Sequence, residues 1–166
     1  SITQWGQTAL HRAAERGHPE VARVLIAEGA EVSAGDSDDL TPLHDAARCG
    51  HPAVVRVLIA EGAEVSAIDS DGLTALLHAA RYGYTEVVRV LIAAGSELSA
   101  AARDGRTALH LATCGDHLEV VQVLIASRAQ VSSTDRVGRT ALHLAAERGI
   151  VRMVRVLIAS GVQVSA

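Results

Sequence analysis

A chain of 166 residues with 49% apolar but only 2% aromatic side chains has ample material to bury, and it must pack through aliphatic groups and alanine rather than through large rings. Its net charge of −4 gives no reason to expect nucleic acid as a partner, and no apolar run approaches the roughly 20 residues of a membrane span. Lysine, asparagine and phenylalanine are absent and every basic residue is arginine, which suits either a GC-rich gene or an engineered sequence.

The chain begins Ser1-Ile2-Thr3-Gln4-Trp5, neither basic nor a long apolar stretch, so no secretory signal is expected. After the turn ending at Gly6, Thr8 is placed to cap a first helix, because its hydroxyl can accept from a free N–H of the first turn. Gly17 supplies the left-handed residue that stops it. His18-Pro19 opens a second helix, in which Val21, Val24 and Leu25 have the i, i+3, i+4 spacing of a buried stripe and Arg23 falls on the outer side. Pro19, Pro42 and Pro52 all fall at a first helical position, where a missing N–H costs nothing.

The same plan then recurs. The helix-starting threonines Thr8, Thr41, Thr74, Thr107 and Thr140 stand 33 positions apart, as do the Val-Leu-Ile-Ala runs starting at Val24, Val57, Val90, Val123 and Val156. The stretch Asp69–Ala101 shows the unit in full: a turn over Asp69-Ser70-Asp71-Gly72, a helix from Thr74 to Gly83, a second from Val87 to Gly95, and a short extended run through Leu98. Helices of about nine residues are too short to be stable alone, so each unit depends on its neighbours. The fourth copy is the most irregular. Asp116 and Arg128 replace glycines found elsewhere at Gly17 and Gly29, and Ala102 replaces the turn aspartate of Asp36, Asp69 and Asp135. Asp39 likewise stands for a turn glycine. If Asp116 and Arg128 hold a positive φ, each costs about 1 kcal/mol, which makes this copy the expected weakest layer. In the last copy Ile150, Met153 and Val162 are more apolar than their counterparts, so the end is expected to fray or to self-associate weakly.

A turn-helix-helix unit of about 33 residues is the period of ankyrin repeats. The run Thr41-Pro42-Leu43-His44-Asp45-Ala46-Ala47 closely resembles that family's motif, with near copies beginning at Thr8, Thr107 and Thr140. In the third copy Leu77 takes the histidine's place and His78 follows it. The resemblance covers nearly the whole chain and implies a single all-α ankyrin-repeat solenoid with turn or hairpin loops between its helix pairs. Its five repeats run approximately 1–35, 36–68, 69–101, 102–134 and 135–166. It also implies that His11, His44, His110 and His143 link neighbouring turns by hydrogen bonds. For His18, His51 and His117, at the start of the second helices, capping is the expected role.

No cofactor or catalytic site is expected. Cys49-Gly50-His51 and Cys114 with His117 each resemble half a zinc site, but they lie two repeats apart and four converging ligands are needed. Layers about 8–10 Å thick also separate the two cysteines too far for a disulfide, and free thiols fit the cytosol or nucleus. No phosphate-binding loop or dinucleotide fingerprint is present.

Function is therefore expected on a surface. By resemblance, a partner protein binds the concave side built from turn tips and first helices. The residues this selects are Trp5 and Gln7, then Asp38, Leu40 and Arg48, then Asp71, Leu73, Arg81 and Tyr82, then Arg103 and Arg106, then Arg136 and Arg139. Among them Trp5, Leu40, Leu73 and Tyr82 are expected to be exposed apolar anchors, with acidic tips in the second and third copies and basic tips in the fourth and fifth. The alternative is a structural spacer of a longer array, or an engineered scaffold with no partner of its own.

Overall fold

The computed structural model describes residues 6–161. Its helices come in five pairs: α1 (Ala9–Arg16) and α2 (Pro19–Ala27), α3 (Pro42–Cys49) and α4 (Pro52–Ala60), α5 (Ala75–Tyr82) and α6 (Thr85–Ala93), α7 (Ala108–Cys114) and α8 (Leu118–Ala126), α9 (Ala141–Glu147) and α10 (Val151–Ala159). Among the described residues there is no strand, only an isolated bridge between Ala101 and Thr107. First helices stack on first helices and second on second, each pair packing on the next. The result is an all-α solenoid.

The local signals act as the residue types dictate. Each first helix starts at a threonine in extended conformation, and in four repeats that threonine shares a reciprocal capping box with the histidine three residues on. The Nδ1 of His11 accepts from the Thr8 N–H at 3.1 Å, so the ring's proton sits on Nε2, which donates to the carbonyl of Leu40 at 2.8 Å. His44 reaches the carbonyls of Ala67 and Leu73, and His110 that of Arg139. One histidine thus caps its own helix and ties down the next turn.

The core runs the length of the array through Leu10, Leu43, Leu76 and Leu109 on the first helices and Leu58, Leu91, Leu124 and Leu157 on the second. The alanines Ala14, Ala47 and Ala80 are fully buried and let the helices approach closely. The turn tips form their own ladder: the N–H groups of Ser70, Arg103 and Arg136 donate to the carbonyls of Asp38, Asp71 and Asp104 at 2.9, 3.3 and 3.0 Å.

Several expectations need correction. Val21 and Val24 are 50% and 62% exposed, because the faces that bury their counterparts Val54 and Val57 pack on the second helix of a preceding repeat, and among the described residues no second helix precedes α2. Met153 is fully buried, so the uncovered apolar groups of the last repeat are Val151 and Ile158, and Val162 lies outside the described residues. His18, His51 and His117 make no cap to their own helices. Instead His51 and His117 donate through Nε2 to the carbonyls of Glu15 and Arg81, each in the preceding repeat, at 3.0 Å. Among the described residues the non-glycine residues with a positive φ are Asp39, Asp116 and Arg128, as the repeat comparison predicts for the last two.

Candidate protein-binding surface

The tips and the ends of the first helices share one side of the molecule. The decisive geometry is a cleft of about 290 Å³ at the junction of the third and fourth repeats. It is lined by Asp71 and Leu73, Arg81 from the end of α5, and Ala102, Arg103 and Asp104 from the following turn. The sequence-selected residues Asp71, Leu73, Arg81 and Arg103 are therefore brought together.

Leu73 is not an exposed anchor. It is 2% exposed, held down by its own N–H donating to Asp69 Oδ1 at 2.8 Å and by its carbonyl accepting from His44. Leu40 is half-buried for the same reasons, with Asp36 and His11 as partners. Of the described residues expected as apolar anchors, Tyr82, at 47% exposed, does face solvent, with Tyr84 close by at a ring separation of 6.3 Å. Trp5 lies outside the described residues, and Gln7 is half-buried.

The charged residues divide by whether they are already engaged. Arg139 pairs with Asp135 at 3.0 Å and Glu147 at 3.3 Å, and Arg106 with Asp104 at 3.5 Å. Arg48 donates to Asp45 Oδ1 at 2.8 Å. Arg81, Arg103 and Arg136 are exposed and make no ion pair among the described residues. Asp38 and Asp71 are exposed and equally free of ion pairs. The opposite side differs. The arginines lining its clefts between second helices are already paired, Arg23 with Glu20 at 2.6 Å and Arg56 with Glu86 and Arg89 with Glu119 at 3.7 Å.

Asp45 is the residue the sequence-based selection passed over. It is 1% exposed, burial pushes its carboxyl above the usual range against the pull of Arg48, and its Oδ2 has no partner. It fixes Arg48 at the edge of the surface. The signal was available, since the same position holds Leu111 and Leu144 in the last two repeats. The third repeat places His78 there, buried, with Nε2 donating to Asp69 Oδ2 at 2.7 Å.

A family model described as ankyrin repeats in three copies matches residues 1–69, 37–102, 59–135 and 98–166, which together span the chain. The chain belongs to the ankyrin repeat family. No curated protein matches it. Ankyrin repeats generally mediate protein–protein interaction, and in this array the turn aspartate missing at Ala102 is replaced by Asp104, whose Oδ1 accepts from the Arg106 N–H at 3.1 Å. No helix among the described residues is long and apolar enough to cross a membrane, and no group of three or more potential metal ligands lies together there.

Proposed function

We propose that this ankyrin array is a protein-recognition module whose partner docks on the side formed by the turn tips and the first helices. The observation that carries this reading is the cleft between the third and fourth repeats, where Arg81 and Arg103 lack ion-pair partners among the described residues, on a first-helix side that also exposes Tyr82 at the end of α5. Unengaged arginine and an accessible aromatic on one rigid frame are the composition of binding hot spots. The wider contact set is Gln7, Asp38, Leu40, Arg48 and Asp71 on one flank and Arg106, Arg136 and Arg139 on the other, with Leu73 as part of the cleft floor rather than an anchor. Non-enzymatic scaffolding is the typical role of the family. Free Cys49 and Cys114 suit a reducing compartment such as cytosol or nucleus. Weak self-association, where it occurs, starts at the exposed Val151 and Ile158.

The test is affinity capture with a photo-cross-linker at position 82 and, in parallel, at position 56 on the second-helix side. Cross-linked protein from position 82 alone supports the reading. Capture only from position 56 moves the interface to the other side, and none from either favours the spacer. Tyr82→Ala is expected to weaken a captured partner by about 1–3 kcal/mol.

A further inference from the structure

We propose that the segment this surface recognises is bipolar: a basic residue over Asp38 and Asp71, and, about one repeat further along, a carboxylate seated between Arg81 and Arg103. The proposal rests on the tip-and-first-helix side being the binding face. Charge along the array is segregated. The second repeat carries Arg48 and Arg56 against Asp36, Asp38, Asp39, Asp45, Glu61 and Glu64, whereas the last carries five arginines against Asp135 and Glu147. The junction between the two regimes is the cleft itself.

Within that cleft the two signs are not equivalent. Asp104 is occupied by the N–H and the guanidinium of its neighbour Arg106. Asp71 uses its backbone carbonyl on Arg103, but its carboxylate has no side-chain partner, and neither do those of Asp38 and Asp39. Along the tips the free groups among the described residues are thus the carboxylates of Asp38, Asp39 and Asp71 on one side and the guanidinium groups of Arg81, Arg103 and Arg136 on the other. Arginine offers a planar fork that holds a carboxylate with two donors, and Leu73 and Ala102 form a floor that excludes water beneath it. The tip ladder through Asp38, Asp71 and Asp104 fixes the spacing between the acidic and basic stations. A purely acidic segment would be repelled by Asp38, Asp39 and Asp71, and a purely basic one by Arg103 and Arg136, so only one charge order avoids both penalties.

The experiment is selection from a displayed library of random peptides of about ten residues, enough at ~3.3 Å per residue to cross three layers of ~10 Å. Binders are selected on the intact chain and the best is synthesised. The expected binders carry both a basic and an acidic residue, about one repeat apart, and replacing either charge with glutamine weakens binding about tenfold. Arg81→Gln and Arg103→Gln are each expected to weaken binding about tenfold, while Arg56→Gln leaves it unchanged. Binders that depend on Tyr82 but lack the acidic residue, or tolerate the loss of either charge, overturn the proposal and leave the binding face intact. Binders indifferent to every tip and first-helix substitution, or no binders, take down the binding face and the proposal with it.

Discussion

Gly17, Gly50 and Gly83 end their helices with φ of 72°, 75° and 78°, which favours glycine, but each is also pinned by a ring from the next repeat. A Cβ on Gly50 would lie 2.6 Å from the Tyr84 ring, and one on Gly17 or Gly83 would meet His51 or His117 as closely. Gly62 has a positive φ too, yet nothing lies within 4 Å of its would-be Cβ. Gly62→Ala is therefore expected to cost only the conformational term of about 1 kcal/mol, and Gly50→Ala clearly more. The excess should shrink in a Tyr84→Ala background, measured as a double-mutant cycle by urea denaturation; equal costs for both glycines would refute the ring contact. The same contact explains the fourth repeat, where the ring's place in the following repeat is taken by Ile150 and position 116 accommodates an aspartate. Asp116 even gains a partner, Arg152 at 2.9 Å. Arg128→Gly should therefore raise stability by about 1 kcal/mol and Asp116→Gly by less, since the latter also removes an ion pair. A larger gain from Asp116→Gly in denaturant midpoints would contradict this.

At the scale of the repeat, one displaced histidine changes a junction. His11, His44 and His110 each tie their helix to the following turn, but Leu77 cannot, and the turn after α6 also lacks its aspartate at Ala102. The seam between the third and fourth repeats thus lacks the first-helix tie, although His117 still bonds the Arg81 carbonyl across it, and it is the seam that carries the cleft. Exchanging the two residues, Leu77→His with His78→Leu, restores the pattern of the fourth repeat. It is expected to add about 1 kcal/mol of stability and to slow amide exchange through residues 102–107. Unchanged or faster exchange there would sink the idea. This seam also marks how far the sequence could be read. The 33-residue spacing phases every cap, proline and helix stop, so the elements and their order were legible throughout. The side of the molecule holding the tips was legible too, but the exposure of individual side chains on it was not. Leu73 looked like a tip residue because the His44 ring that holds its carbonyl comes from α3 of the preceding repeat and has no signature near Leu73 itself.

Across the whole molecule the buried histidines set a pH dependence. Burial lowers His44, His78 and His110 below the ordinary value of 6.5, with the neighbouring His78 ring adding to the effect on His44. Their unfolded counterparts protonate near 6.5 while the folded rings stay neutral, so below that pH the unfolded state binds more protons. Stability is then fully present above 6.5 and is lost as pH falls toward the folded values. Asp45 acts in the opposite sense in a lower range. Its raised carboxyl takes up a proton in the folded state before the unfolded value of 3.8 is reached, which favours the fold as the pH drops through that interval. Asp69 again opposes. Burial pushes it up, but the N–H groups of Leu73 and Asp71 and the His78 ring hold it below 3.8, so its contribution is lost only under more acidic conditions. Because each layer is held by its neighbours, the histidine effect should open the second to fourth repeats ahead of the first and fifth. The urea midpoint is expected to fall between about pH 7 and pH 5, with amide protection in α3, α5 and α7 falling more steeply than in α1 and α9. His78→Leu should flatten the slope by removing one of the three groups. A midpoint that rises on acidification through this range, or a slope unchanged by His78→Leu, would show that these rings do not stay neutral in the fold.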